Sequence, residues 1–302
     1  MSARMRTDQA IATLAAGQWG VVSRAQLRDA GVPRTTISDR VRSGRLLPLH
    51  PGVYAVGHAR LRREGHWLAA VLAVGPGAVL SHRDAAGLHG VRPANHARID
   101  VSTTGWAGSS VKIAVHRTRS LDAQDTTTID GIPVTTVART LLDLATIVPH
   151  DHLVSAIKQA ERQRTFDLRQ VDAAMARTRG RPGRGHRALR EAIAERAALE
   201  GHRTRSPLED AFLRVLCRAR LPLPTTNAIV EGFEVDAVWA KARIAVELDG
   251  WQDHGTRQAF ERDRERDATL TAAGWRVVRF TYRQVTDRPD AVIRTLRRLD
   301  LR

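Results

Sequence analysis

Two short runs near the C-terminal end carry the most regular hydrophobic pattern in the chain. Apolar residues occupy every second position over 233–239 and again over 244–248, as they do in half-buried β-strands. Lys241-Ala242 lies between the two runs and can form a two-residue turn. The pattern therefore predicts an antiparallel β-hairpin.

The predicted hairpin brings acidic side chains together on one face. With Lys241-Ala242 as the turn, Asp236 lies directly opposite Glu247, and Asp249 follows two residues further along the same face. Like charges at opposite positions destabilise a sheet, and a divalent cation bound by the carboxylate oxygens removes that repulsion. We therefore expect a metal site here. The alternative is an acidic strand face that is simply solvated.

The pattern around the hairpin predicts an α/β domain over residues 202–302. A helix begins after Ser206, a second helix covers about 256–273, a strand covers 275–281, and a last helix covers 289–299. The order α-β-β-β-α-β-α is typical of a mixed sheet flanked by helices.

Residues 1–57 predict a winged helix-turn-helix. A helix capped by Ser23 precedes a further helix that begins near Pro33 and stops at Gly44. Two short runs at 45–49 and 53–56 then form the wing. In this motif the second helix enters the major groove of DNA, so the candidate DNA contacts are its basic and hydroxylated residues: Arg34, Thr35, Ser38, Arg42 and Arg45. The alternative is a winged helix that binds another protein.

Residues 58–201 predict a middle α/β region with no recognisable catalytic set. The spacing of His82, His89 and His116 fits no metal-ligand pattern, so we interpret them as surface or locally hydrogen-bonded residues. Arg139 and Asp143 are four residues apart and are interpreted as an ordinary helix pair. The predicted fold class is thus multidomain α+β, with the winged helix, this α/β region and the C-terminal α/β domain in sequence.

Charge indicates the partner. The 302 residues contain 48 Lys+Arg against 32 Asp+Glu, a net charge of +16. A strongly basic chain favours a polyanionic partner, and double-stranded DNA ranks ahead of a membrane because no apolar span or lipidation signal is evident. The single cysteine, Cys217, excludes an internal disulfide framework. With no signal-peptide pattern either, we expect a soluble, cytoplasmic protein.

The C-terminal motifs resemble those of a nuclease group. Asp236 is followed by E-x-D-G-W-x-x-H from Glu247 to His254, by D-R-x-R-D-x-x-L at 263–270 and by G-W-R-V-V-R-F-T at 274–281. In this order they resemble the very-short-patch-repair-like endonuclease domains of the PD-(D/E)XK superfamily. The resemblance covers about the last third of the chain. It implies a restriction-endonuclease-like core that hydrolyses DNA with Mg²⁺ or Mn²⁺.

The same resemblance implies roles for individual residues. The implied metal ligands are Asp236, Glu247, Asp249 and Glu209. Because Asp249 stands where the usual lysine would be, the general base is open, and His254 is the candidate titratable base. Arg266, or alternatively Arg264, completes the candidate catalytic set as the cation that stabilises phosphate charge. Glu209 keeps a second interpretation, as the partner of Ser206 in a capping box.

Residues 20–57 resemble the N-terminal winged-helix domain of AbiEi-family antitoxins. That resemblance implies DNA binding, autoregulation of an operon and a possible toxin partner. Two functions follow for the whole chain. One is a metal-dependent DNA endonuclease targeted by the winged helix. The other is a non-catalytic, antitoxin-like regulator whose nuclease fold serves as a clamp.

Overall fold

The computed structural model describes residues 3–105, 111–178, 184–199, 201–202, 204–249 and 257–301. The side chains of residues 3, 4, 6, 184 and 257–263 are outside the description. In the described residues the strands form three sheets, one antiparallel and two mixed, and helices lie between the strands in sequence. The fold is therefore multidomain α+β, as predicted. The chain divides into two units, Met1–Ile193 and Ala194–Arg302.

The N-terminal part of the first unit has the elements of a winged helix-turn-helix. One helix precedes a short strand and two helices follow it. A β-hairpin then completes a sheet of order β1-β3-β2. The elements are α1 Ala3–Ala16, β1 Val21–Ser23, α2 Arg24–Asp29, α3 Arg34–Arg42, β2 Leu46–His50 and β3 Val53–Val56.

Local sequence explains where these helices begin. The Ser23 hydroxyl accepts the backbone N–H of Gln26, and the Gln26 side chain accepts the N–H of Ser23, which is a complete capping box at α2. Pro33 is the N-cap of α3, one position before the first-turn placement expected from the sequence. Leu27 and Ile37 are buried, and they join the two helices in one core.

The rest of the first unit combines a five-stranded sheet of order β6-β5-β4-β8-β7 with helices. Its elements are α4 Arg63–Val74, β4 Val79–Leu80, α5 His82–Leu88, β5 Ile99–Thr103, β6 Ile113–Arg117, β7 Thr126–Ile129, β8 Ile132–Thr135, α6 Val137–Leu144, α7 His150–Arg162, α8 Leu168–Arg177 and α9 Arg184–Ala198. A 3₁₀ turn covers Ala123–Asp125.

The winged helix and the region after residue 57 belong to the same compact unit, Met1–Ile193. Val21 and Val53 of the winged-helix sheet pack with Ala69 of α4 in a common hydrophobic cluster. Burying this apolar surface joins the winged helix to the region that follows it. The second predicted boundary, after residue 201, lies within eight residues of the start of the second unit.

The second unit contains a four-stranded mixed sheet of order β12-β11-β10-β9. Strands β11 and β12 are parallel and the other neighbours are antiparallel. The elements are α10 Pro207–Ala219, β9 Thr225–Val230, β10 Phe233–Trp239, β11 Ile244–Asp249, α11 Arg257–Ala272, β12 Arg276–Thr281, α12 Tyr282–Asp287 and α13 Pro289–Arg297.

Both faces of this sheet are covered by hydrophobic residues. Ala237 and Trp239 pack with residues of α10, whereas Val235 packs with Val238 and with Leu270 of α11. The strict alternation predicted for β10, with Val235 on the face of Ala237, is therefore wrong. The alternation breaks at Asp236, where the cross-strand partners recorded for the β10–β11 pair end. Among the described residues, no helix is both long and apolar enough to cross a bilayer.

Candidate active site and DNA-contact surface

The hairpin of β10 and β11 places Asp236 and Glu247 beside each other. Its partners are Ala237 with Val246, Val238 with Ala245, and Trp239 with Ile244. The backbone N–H of Arg243 donates to the carbonyl of Ala240, which closes the turn over Lys241-Ala242. The predicted register is confirmed over these three pairs. Asp236 and Glu247 are the next residues on the two strands, and the charge of Asp236 acts on the Glu247 carboxyl.

Glu247 is the most perturbed carboxylate in the second unit. It is 7% exposed, and its Oε2 lies 2.9 Å from Nη2 of Arg266 on α11. Its Oε1 is buried and has no hydrogen-bond partner among the residues that the structure describes. Burial raises the pKa of Glu247 to about 7, with the Asp236 charge adding to the rise and the Arg266 and Arg279 charges opposing it.

Asp236 is held at the end of the ladder by the backbone. Its Oδ2 accepts the N–H of Leu248 at 2.7 Å. Burial raises the pKa of Asp236, the Leu248 N–H and the Arg266 charge lower it, and the charges of Glu209 and Asp249 raise it. The four acidic residues expected to form a metal site therefore interact electrostatically across one end of the sheet.

Glu209 reaches the site from the first turn of α10. The Ser206 hydroxyl accepts its backbone N–H, as an N-cap should. Its own Oε2, however, accepts the N–H of Arg205 and Nδ2 of Asn227, both at 2.9 Å, and not the N–H of Ser206. The reciprocal half of the capping box is thus replaced by bonds that fix Glu209 beside the sheet. Asn227, which the sequence did not single out, has a left-handed backbone within β9.

Two arginines supply positive charge at this end of the sheet. Arg266 was predicted, and its Nε is buried without a hydrogen-bond partner in the described part of the chain. Arg279 was not predicted: the parallel pairing of β11 and β12 sets it opposite Glu247, and its Nη2 donates to Asp267 at 2.8 Å. His254 lies outside the described residues. Asp249 is at the last position of β11 and is partly buried.

These residues fit a Mg²⁺ ion with a small number of protein ligands. Within the described residues, no three of Asp236, Glu247, Asp249 and Glu209 have oxygens within 4.8 Å of one another. Magnesium keeps several waters and is commonly bound by one or two carboxylates, so three converging ligands are not required. The unpartnered Oε1 of Glu247 beside Asp236 provides such a pair.

The winged helix presents a groove of about 620 Å³ between α3 and the β2–β3 hairpin. Arg34, Ser38 and Arg42 follow one another at intervals of four residues along α3 and line this groove. Thr35 is exposed on the same helix. The groove also includes Arg24, which the sequence did not indicate and whose guanidinium donates to the Tyr54 hydroxyl.

Arg45 lies elsewhere. Its Nη1 is 3.2 Å from Oδ2 of Asp8, and it lines a separate recess with Asp8 and Arg40. Arg40 is buried, and its Nη2 is 2.7 Å from Oδ1 of Asp8. The positive charges of Arg40 and Arg45 are therefore partly neutralised at this end of α3, because one carboxylate faces both side chains.

Comparison with known proteins identifies two regions. Residues 9–57 match the model of a family described as "Transcriptional regulator, AbiEi antitoxin". Residues 216–299 match the REase_MTES_1575 model. The second match includes Asp236, Glu247, Asp249 and Arg266 but begins after Glu209.

The chain is 26% identical over 274 residues to each of two uncharacterized proteins of Mycobacterium tuberculosis, one from strain CDC 1551 / Oshkosh and one from strain H37Rv. The aligned region covers 88% of this chain and 97% of each relative. The catalytic domain of the homing endonuclease I-Bth0305I is 20% identical with a TM-score of 0.27, over 31% of this chain and 93% of that domain. The Rv2827c protein of Mycobacterium tuberculosis is 20% identical with a TM-score of 0.40, over 68% of this chain and 84% of its own. On the family matches, the chain combines an AbiEi antitoxin-like N-terminal domain with a C-terminal restriction-endonuclease-like domain, and both imply DNA as a partner.

Proposed function

We propose that the protein is a metal-dependent DNA endonuclease whose winged helix targets it to duplex DNA. The observation that carries the proposal is the interaction of the half-buried Asp236 with the buried Glu247 in the restriction-endonuclease-like domain. The repulsion between two neighbouring carboxylates destabilises the folded protein. A bound cation removes that repulsion, and this gain in free energy favours binding of the cation.

Hydrolysis of a phosphodiester requires a nucleophilic water and neutralisation of the charge that develops on the phosphate oxygens. A Mg²⁺ or Mn²⁺ ion supplies both, by lowering the pKa of its bound water and by coordinating phosphate oxygens. Asp236 and Glu247 would hold the ion, Glu247 through its unpartnered Oε1. Asp249 and Glu209 lie close enough to affect the Asp236 charge and are the candidates to support a second ion.

Arg266 has two roles in this proposal. In the metal-free protein it partly neutralises Glu247 through the 2.9 Å ion pair. With metal and DNA bound, its guanidinium is placed to donate to a phosphate oxygen, because an arginine fork matches phosphate geometry. His254 is the proposed residue for proton transfer, since a histidine titrates near neutral pH.

The alternative is a non-catalytic regulator, antitoxin-like, with a toxin as partner. The Glu247–Arg266 ion pair favours it, since an internal cation already compensates the carboxylate without a metal ion. The presence of Asp249 in place of the usual lysine favours it as well. In this case Asp236 serves as an acceptor for the Leu248 N–H, and the domain binds DNA or a protein without cutting.

A plasmid-nicking assay distinguishes the endonuclease from the non-catalytic regulator. The full chain, freed of metal with EDTA, is incubated with plasmid alone, with Mg²⁺ and with Mn²⁺. The endonuclease proposal expects nicked product only when metal is present. DNA binding without nicking under any of these conditions would leave the regulator as the better account.

A further inference from the structure

A second cluster of acidic and histidine side chains lies in the first unit, away from both regions described above. Asp84 belongs to α5, Asp100 to β5, and His96 to the connection between them. Nε2 of His96 lies 2.8 Å from Oδ2 of Asp84 and 3.5 Å from Oδ2 of Asp100. Ligand atoms of the three lie within 4.8 Å of one another, and no other set of three His, Cys, Asp or Glu in the described residues meets this spacing.

Both carboxylates are almost completely buried, whereas the histidine is reachable. The Asp84 and Asp100 side chains are 4% and 1% exposed, and that of His96 is 18% exposed. Burial raises the pKa of Asp84, although the Asp100 N–H, the His96 charge and the Trp67 N–H oppose the rise. The Oδ2 atoms of these two buried carboxylates thus both lie near Nε2 of His96, and a cation bound among the three atoms would be strongly stabilised.

Neighbouring rings hold the two carboxylates in this orientation. Nε1 of Trp67 donates to Oδ1 of Asp84 at 2.6 Å, and Nε2 of His116 bonds Oδ1 of Asp100 at 2.8 Å. In both aspartates the outer oxygen is therefore fixed, and the inner Oδ2 is turned towards His96. Outer hydrogen bonds of this kind orient the ligands of protein metal sites.

The three inner atoms retain the capacity to bind an ion. Oδ2 of Asp84 accepts the N–H of Asp100, and Oδ2 of Asp100 accepts the N–H of Arg83, so each still has a lone pair. Nε2 of His96 donates a hydrogen bond to Oδ2 of Asp84 at 2.8 Å, so an ion at Nε2 would replace that proton. Nδ1 of His96 has no hydrogen-bond partner in the described residues and can carry the ring proton instead. The Arg83 guanidinium is the competing cation, but its Nη1 is 3.6 Å from Asp100 and its Nη2 bonds the carbonyl of Ile147.

We propose that Asp84, His96 and Asp100 bind a divalent transition-metal ion of the Zn²⁺ class. Tetrahedral Zn²⁺ with ligands at 2.0–2.1 Å needs about 3.3 Å between neighbouring ligand atoms. The 3.5 Å separation already meets this, and the 2.8 Å separation has to open by about half an ångström. A set of one imidazole and two carboxylates with a remaining open position suits this ion. The ion would bind α5 to β5 within the first unit.

Calorimetric titration of the EDTA-stripped full chain with Zn²⁺ tests the proposal. His96→Ala is the test variant because His96 lies on an exposed connection, and His152→Ala is the control because it changes an exposed histidine of α7 outside the cluster. We expect His96→Ala to bind one equivalent fewer than the wild type, and His152→Ala to match the wild type. The wild type and His152→Ala should also gain melting temperature with Zn²⁺, by mass action on the folded state.

Two further measurements keep the outcome decisive. Asp236→Asn, which alters the proposed nuclease site, should retain this equivalent, so failure of one site does not imply failure of the other. Anomalous diffraction at the zinc edge from Zn²⁺-soaked wild-type crystals should locate an ion bonded to all three residues, whether or not His96→Ala folds. Equal stoichiometry in wild type and His96→Ala, or zinc found only elsewhere, would overturn the proposal and leave a purely hydrogen-bonded cluster.

Discussion

Oε2 of Glu247 lies 2.9 Å from Nη2 of Arg266, yet the pKa of Glu247 is raised to about 7. Burial and the neighbouring Asp236 charge outweigh the attraction of the ion pair. In the metal-free protein this carboxyl therefore changes its charge near neutral pH. A divalent cation, which binds the ionised form, competes with a proton at this position.

The first prediction concerns pH and stability in EDTA. The ordinary pKa of a glutamate is 4.5 and the folded pKa of Glu247 is about 7, so between these pH values the folded state holds a proton that the unfolded state has released. Its contribution is therefore largest below pH 4.5 and is lost as the pH rises through about 7. Glu247→Gln cannot titrate. Urea unfolding should show the variant gaining stability relative to wild type from pH 5 to pH 8, and a constant difference would contradict the raised pKa.

The second prediction concerns the winged-helix groove. Arg34 lines the groove, whereas Arg45 is paired with Asp8 outside it. Each phosphate contact contributes roughly −0.9 to the slope of log affinity against log salt. Arg34→Ala should make the slope less negative by about that amount in anisotropy titrations with labelled duplex. Arg45→Ala is the matched control and should leave it nearly unchanged. Equal effects of both substitutions would exclude the groove as the contact surface.

The third prediction compares two helix pairs with the same spacing of four residues. Arg139 is buried, with its Nε 2.9 Å from Asp143 and its Nη1 3.1 Å from Asp125. Removing one partner of a buried ion pair costs about 3–5 kcal/mol, so Arg139→Met should lower the melting transition of the full chain markedly. Arg187→Met breaks an exposed pair with Glu191 and should have little effect. Similar melting temperatures for both variants would contradict the assigned role of Arg139.

Local pattern was sufficient to predict the hairpin and its register. A two-residue turn and period-two alternation determine which residues face each other, and the pairing of Ala237 with Val246 follows from them. The same reasoning misplaced Val235, because the alternation breaks at Asp236 and no neighbouring residue signals that break. The cross-strand partners of β10 were thus predictable. The face of the sheet on which each side chain lies was predictable for only part of the strand.

Contacts between distant residues could not be predicted in this way. Arg139 and Asp143 were interpreted as an ordinary helix pair. Asp125 also accepts hydrogen bonds from Arg139 and Arg177, which lie 14 and 52 positions away, so these residues form a buried network. Arg279 reaches Glu247 only through the parallel pairing of β11 and β12. The cluster of Asp84, His96 and Asp100 could not be predicted either, because its members come from a helix, a connection and a strand. All three cases depend on which strands and helices become neighbours.

The central claim is that Asp236 and Glu247 form a metal site for DNA cleavage. Glu234 lies on the same strand as Asp236, is exposed and pairs with Arg205, so Glu234→Gln is the matched control. Loss of an essential metal ligand should reduce cleavage by several orders of magnitude without affecting recognition by the winged helix.

The most direct measurement is the rate of Mg²⁺-dependent plasmid nicking by wild type, Asp236→Asn and Glu234→Gln, each at a concentration that saturates DNA binding. The endonuclease proposal predicts that the wild type and Glu234→Gln nick the plasmid at similar rates and that Asp236→Asn does not. It also predicts equal DNA affinity for all three proteins. Nicking by Asp236→Asn at the wild-type rate, or none by the wild type with either Mg²⁺ or Mn²⁺, would contradict it.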